Sequence, residues 1–493
     1  MLLFLLIIIP LLGGLCCGKS DYFSVKIPRL IALTITTIVF CLSILLWLKY
    51  FYYHDFLLCH EHWNEELLIP WIPRFGISFH LAIDGLSLAM IILSSFLGII
   101  SVLCSWNNVK EKHGFFYFNL MFILFGTIGV LLSIDLFLFF CFWEITLIPM
   151  YFLIVFWGDS HSSQKTRAFF SNKFLIYTQL SSLIMLFSII LFSSIYYYNM
   201  HIWTFDYNQL LHFSINYKLE FLVMLGFFIA FAVKMPVFPF HSWLPDAHNQ
   251  SPVAGSVDLS GMLIKLAAYG LLRFNINLFK YSSEKFSMVV MLLGIMTVFY
   301  GSWMAFSQNN IKKILAYSSI SHMGFILTAI YSQNEIAYQG AIIQMISSGL
   351  SSSALFILFS QLYVRFKTKN IIKMGGLSAC INWIPGFFLF FIFSNLGIPG
   401  TVNFIGEFTI LLGLFHTFPI IACILVFGLL FSAIYSLNIM HKVFYGPLVN
   451  QDYKNCTQIN NLEFYIIIVL IVITLLIGLF PQNILNVTHF LMK

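Results

Sequence analysis

The sequence predicts an all-α, polytopic membrane protein of about fourteen transmembrane helices. Three observations predict it. Only 9% of the 493 residues are charged and 60% are hydrophobic, whereas a soluble protein carries about 25% charged residues. Apolar runs of about 20 residues, each able to cross about 30 Å of hydrocarbon, recur along the whole length. These runs lack the period-two alternation of a membrane barrel, and in lipid only helices or closed barrels satisfy their own backbone.

The opening run MLLFLLIIIPLLGGLCCG has no positive region before it, and Leu15 ahead of Cys16 spoils a lipoprotein-type cleavage site. It reads as an uncleaved first helix. Helices 1 to 3 run to about Trp106. A set of five follows, predicted near Phe115–Ile134, Leu136–Trp157, Phe170–Tyr196, Phe221–Ala247 and Pro252–Phe274. A second set is predicted near Phe286–Ser307, Ile311–Tyr331, Ala337–Tyr363, Trp383–Phe415 and Pro419–Phe444, and a last helix near Leu462–Phe480. The expected divisions are therefore 1–109, 110–276, 277–446 and 447–493, the last being a loop and helix 14.

The formal charge of +6 reflects loop lysines and gives no reason to expect a nucleic-acid partner. Lys19, Lys26, Arg29, Lys110, Lys112, Lys165, Arg167, Lys173, Lys312, Lys313, Arg365, Lys367, Lys369, Lys373, Lys442 and Lys454 all fall in odd-numbered loops. The even-numbered loops hold mainly Arg74, Lys218, Arg273, Lys280 and Lys285. By the positive-inside rule the odd loops are cytoplasmic and both termini periplasmic, in a bacterial inner membrane.

The nine cysteines form no C-x-x-C pair. Six of them lie in apolar runs, where cysteine serves as a small buried hydrophobe, so no iron–sulfur ligation is expected. Cys59-His60-Glu61-His62 has metal-binding residue types, but as a lone loop cluster it is read without a metal. No Rossmann glycine pattern, Walker loop or paired-histidine haem arrangement is visible.

Two predicted helices are interrupted at matching places in their sets. Pro236 and Pro239 remove backbone donors inside helix 7, and Pro399 lies between Gly397 and Gly400 in helix 12. Proline kinks in membrane helices are often structural. Paired breaks, however, point to an inverted-repeat transporter with its ion site at the breaks. Four ionisable side chains stand in these apolar segments: Glu144, Lys234, Lys265 and Glu407. Such residues mark ion pathways by default, because stranding a charge in hydrocarbon costs several kcal/mol.

Around them run polar stripes. Asp258 and Lys265 are seven apart on one face of helix 8, with Gly261 and Tyr269 in register. Ser318 and His322 are four apart in helix 10, and Gln344, Ser348, Ser351 and Ser352 line one side of helix 11. These residues suit either interhelical hydrogen bonding or a water-filled channel. Desolvation weakens a buried lysine's hold on its proton, and an approaching carboxylate restores it. If Glu144 moves between near and far positions, Lys234 switches between holding and releasing a proton. Lys265 is then the acceptor and Glu407 the terminal group. A static Glu144–Lys234 pair that fixes packing is the alternative.

At this point the residues match a known family. FAVKMPVFPFHSWLPDAHNQSPVAGSVDLSGMLIKLAAYGLLRF, IKKILAYSSISHMGFI and NLGIPGTVNFIGEF resemble the antiporter-like subunits of respiratory complex I. So do IPWIPRFGISFHLAIDGLSL, LCSWNN, FFCFWEITLIPMYFLI and YSLNIMHKVFYG, so the resemblance covers nearly the whole chain. It implies fourteen helices with two inverted five-helix units and sister antiporter-like subunits as partners in the bilayer. It also implies that electron transfer from NADH to quinone drives proton pumping here. NADH, FMN, iron–sulfur clusters and quinone would then be held by other subunits, and this chain would bind none. The family's helix-5 glutamate falls on Glu144, its lysines of helices 7 and 8 on Lys234 and Lys265, and its helix-12 acid on Glu407. His322 and His248 match histidines near the polar axis.

One departure stands out. The family usually places histidine before the glycine of helix 11, whereas this chain has Ser347-Ser348-Gly349. Ser348 cannot titrate, so a hydroxyl and water would have to bridge there. Two rival functions remain: a cation/proton antiporter subunit without a redox partner, and a structural spacer within a complex.

Overall fold

Glycine, proline and polar caps divide the chain into helices at nearly the places its hydropathy does. The structure is a computed structural model that describes residues 1–21, 24, 26–54, 63–159, 162–449 and 458–488. The cluster Cys59-His60-Glu61-His62 lies outside the described residues. Among them, twelve helices are long and apolar enough to cross a membrane. Helices 7 and 12 are each split in two: Tyr217–Lys234 with Trp243–Gln250, and Ile384–Asn395 with Val402–Thr417. The chain is thus a helical, multi-pass membrane protein.

Side-chain caps start several helices by accepting from backbone N–H groups that the first turn leaves unpaired. Asp135 caps Leu136–Ile145 through the amides of Phe137 (2.9 Å) and Leu138 (3.1 Å). Asn310 caps Ile311–Ile330, and Asn334 caps Glu335–Phe366. Asp84 forms a capping box with Ser87 at the start of Gly85–Cys104.

The break in helix 12 has a clear backbone cause. Gly397 (φ 66°) and Gly400 (φ 96°) adopt left-handed conformations that glycine alone enters freely. The break in helix 7 begins directly after Lys234, which makes that lysine the last residue of a helix. A cation is favoured there, because the last carbonyls of a helix lack partners.

Three features depart from the expected elements. Helix 5 is not continuous but breaks at Thr146, between Leu136–Ile145 and Leu147–Trp157. Pro149 has no N–H to offer the carbonyl four residues back, that of Ile145, and the helix resets there. Helix 8, Val253–Leu278, contains two π-helical segments, Leu259–Leu263 and Leu271–Asn275, on either side of Lys265. Between helices 2 and 3 lies a two-stranded antiparallel hairpin, β1 (Glu65–Ile72) and β2 (Ile77–Ile83).

The hairpin is tied to its surroundings by three acids. Asp135 accepts from the amide of Ser78 (2.9 Å), and Asp84 follows β2 directly. The buried ring of His80 lies 3.1 Å from Asp206 and 2.5 Å from Glu66. Burial pulls the affinity of that imidazole for its proton down. Asp206, followed by Glu66, more than offsets this, so its pKa stands above the ordinary value.

The chain divides into two compact units, Met1–Lys234 with Met262–Phe286, and Met235–Gly261 with Ser287–Lys493. Each has its own tightly packed interior, lined in the first by Trp143, Phe139, Phe231 and Phe274, and in the second by Tyr331, Phe356 and Leu358.

Candidate functional site: buried ionisable groups in each unit

In the first unit the break in helix 5 and the end of the first half of helix 7 bring four residues together. Lys234 is only 2% exposed. Its Nζ lies 3.5 Å from the centroid of the Trp143 ring, a close cation–π contact, and donates to Thr146 Oγ1 at 3.3 Å. Thr146 in turn donates to the carbonyl of Trp143 at 2.8 Å, so the broken turn holds both lysine partners in place.

Glu144 belongs to the same turn but does not join Lys234. Its carboxylate accepts from the hydroxyl of Ser182 in helix 6, Gln164–Met200. Among the described residues no ion pair within 4.0 Å links Glu144 and Lys234, although the carboxylate is near enough to act on the ammonium electrostatically. Opposite charges thus share one site while each is held by a neutral partner. Lys265 is fully buried, in the α-helical stretch Ile264–Gly270 between the two π segments. Such segments widen a helix locally and are frequent at functional sites.

In the second unit the polar face of helix 11 meets the second half of helix 12. Gln344 Nε2 donates to Glu407 Oε1 at 3.3 Å and lies 3.4 Å from His322 Nδ1. His322 Nδ1 is itself 3.5 Å from Glu407 Oε1, closing a triangle. Ser347 donates to Gln344 Oε1 at 3.1 Å and fixes which way the amide points. Asn403 donates to Ser351 Oγ at 3.4 Å and receives Ser394 at the same distance, bridging the break in helix 12.

The helix-11 stripe therefore divides. Gln344 and Ser351 reach across to helix 12. Ser348 and Ser352 turn their hydroxyls to carbonyls of their own helix, at 2.6 Å and 2.5 Å. His248 is fully buried and stacks on Phe356, with centroids 4.4 Å apart and planes within 10°. Asp258 is buried at the end of Val253–Asp258.

Sequence reasoning missed Thr146, Ser182 and Asn403. Each is a short polar residue in an apolar run, which alone carries no signal. Trp143 had one, since it directly precedes Glu144, a charge in an apolar run.

The family described as "NADH:quinone oxidoreductase/Mrp antiporter, TM" matches residues 133–432. That stretch includes Glu144, Lys234, Lys265, His322 and Glu407. The chain belongs to this family. Within the family, it is 50% identical over 490 residues to the NADH-quinone oxidoreductase subunit M of Escherichia coli K12, covering 99% of this chain and 96% of that one. A subunit M from Buchnera aphidicola of Acyrthosiphon pisum is 51% identical over 492 residues. Among solved structures, a chain of respiratory complex I from Thermus thermophilus superposes with a TM-score of 0.88 at 24% identity, covering 100% of this chain and 98% of that one. A chain of the Mrp complex from Dietzia gives 0.83 at 19% identity, covering 100% and 97%. At such identities these two likenesses establish the shared fold.

Proposed function

We propose that the chain is the proton-translocating membrane subunit of an NADH–quinone oxidoreductase, of the subunit M type. The full-length identity with named subunits M supports the assignment to this complex. Its partners are then sister antiporter-like subunits and the bilayer. The site of NADH oxidation, FMN, the iron–sulfur clusters and the quinone site lie on other subunits. Both termini face the periplasm, by the distribution of loop lysines.

The charge switch works as follows. With Glu144 held by Ser182, the positive charge on Lys234 lacks a close counter-ion, which favours release of its proton. When the carboxylate turns from Ser182 toward Lys234, the ammonium form is stabilised and the lysine reloads. Lys265 receives the released proton within the first unit, and Glu407 is the terminal group of the second. Glu407 is positioned by Gln344 and His322, while His248 and Ser348 hold supporting places. The predicted divisions at 109/110, 276/277 and 446/447 remain the working boundaries of the repeats. Each proton moved against 100 mV costs about 2.3 kcal/mol, so the energy must come from electron transfer elsewhere in the complex.

One observation carries this reading: half-buried Glu144 stands beside the buried Lys234, yet each is bonded to a neutral partner rather than to the other. The likeness to the Mrp complex keeps a second reading open, cation/proton exchange without a redox partner. Membrane vesicles with the assembled complex separate the two. In Lys234→Ala, NADH-driven acidification should be lost, and a Na⁺ or K⁺ gradient without NADH should move no protons in either form. Proton movement driven by the cation gradient alone in the wild type would favour the antiporter.

A further inference from the structure

At the hairpin end of the first unit, helix 8 carries a second buried cation that the charge switch does not use. Lys265, Tyr269 and Arg273 follow one another at four-residue spacing and so stack along one face of helix 8. Arg273 lies two turns, about 12 Å, beyond Lys265. It is 7% exposed and forms an ion pair with Asp84, itself buried. Its guanidinium sits 4.9 Å from the ring centroid of Trp63 and 5.6 Å from that of Tyr269.

The partners of the guanidinium are themselves held. The carboxylate of Asp84 also accepts from the amide of Ser87 (3.0 Å) and its hydroxyl (2.8 Å), so the counter-ion is fixed by the helix-3 cap. Trp63 donates to Asn208 at 3.0 Å. Tyr207 packs against Trp63, with ring centroids 6.1 Å apart.

We propose that Arg273 is an electrostatic seal that keeps a proton on Lys265 from escaping toward the hairpin end of the unit; this rests on the reading of Lys265 as a proton carrier. Two features distinguish a seal from a relay. A guanidinium keeps its proton at any physiological pH, so it can neither accept an excess proton nor pass one on. On the shared face of helix 8, Tyr269 stands between it and Lys265, and its single O–H is committed to the carbonyl of Leu131 at 3.0 Å. A fixed buried cation repels an approaching proton, as arginines do in pores that exclude cations. A purely structural role explains the placement less well. A buried ion pair adds little net stability over apolar packing, so rigidity alone gives weak reason to keep one in line with a carrier lysine.

The test is passive proton leak in proteoliposomes that contain the whole complex without NADH or quinone. An imposed pH gradient is followed with a trapped pH dye while potassium and valinomycin clamp the voltage. The double variant Arg273→Gln with Asp84→Asn removes both charges at nearly constant shape and should leak several-fold faster than wild type. Arg273→Lys and Asp84→Asn alone both keep a cation and should stay as tight as wild type. Adding Lys265→Ala to the double variant should close the leak again.

An assembled double variant as tight as wild type would overturn the seal. So would a leak of equal size in Arg273→Lys, since that would make the residue a cork of shape rather than charge. If the double variant does not assemble, a leak in either cation-retaining single variant overturns the seal on its own. A leak that persists with Lys265→Ala upholds the seal and overturns instead the role given to Lys265.

Discussion

In the first unit Lys234 rests on Trp143 and Thr146 while Glu144 binds Ser182, so two opposite charges occupy one site without joining. In the second unit Glu407, Gln344 and His322 lie in mutual contact, with distances of 3.3 to 3.5 Å. The first arrangement has two competing partners for each charge, and this allows an electrostatic switch. The second has one network around a single acid, so it favours holding that acid in a fixed environment. A site proposed to switch and a site proposed to stay fixed call for different mutational signatures. Removing a charge from the first should abolish coupling, whereas trimming a neutral member of the second should weaken it by degrees.

The largest effect is expected from Lys234→Ala, which removes the charge of the proposed switch: NADH-driven pumping should vanish in an assembled complex. Gln344→Leu comes next. It deletes the amide that donates to Glu407, and a hydrogen bond to a charged group contributes about 1.5–3 kcal/mol. Pumping, measured by dye quenching in vesicles, should fall by about ten- to a hundredfold with electron transfer retained. A complete loss would mean that the second unit also switches. Ser348→Ala should have the smallest effect. Its hydroxyl donates to the carbonyl of Gln344 in its own helix, and loss of such a bond costs about 0.5–1.5 kcal/mol. A collapse of pumping in this variant would place Ser348 on the proton path.

Hydropathy made the helices legible, because a membrane crossing needs a long apolar run and little else competes with that signal. The two breaks were legible for the same kind of reason: Pro236, Pro239, Pro399, Gly397 and Gly400 each act on the backbone whatever surrounds them. The hairpin was not read from the sequence, although Ile77-Ser78-Phe79-His80-Leu81-Ala82-Ile83 alternates as a strand should. Its seven residues were overshadowed by the runs on either side. The break at Thr146 was missed because Pro149 lies in an apolar stretch that reads as continuous.

The candidate site was legible in its charged members and in the polar stripes of helices 10 and 11, but not in its remaining partners. Glu144, Lys234, Lys265 and Glu407 stand out because a charge in an apolar run is rare. What holds each of them is set by tertiary contact: Ser182 is 38 residues from Glu144, Thr146 is 88 from Lys234, and Gln344 is 63 from Glu407. Only Gln344 belonged to a local pattern, the helix-11 stripe; nothing local marks Ser182 or Thr146. The polar stripe of helix 11 was visible as a stripe, but which hydroxyls cross to a neighbour and which turn back depends on helix 12.

The decisive measurement is the proton-to-electron ratio of the assembled complex carrying Glu144→Gln, in sealed vesicles oxidising NADH. Glutamine keeps the hydrogen bond to Ser182 and the shape of the site but removes the charge proposed to reload Lys234. The charge switch predicts electron transfer close to wild type and a clearly lower ratio of protons moved. An unchanged ratio would show that Lys234 needs no approaching carboxylate, and the switch would have to be abandoned.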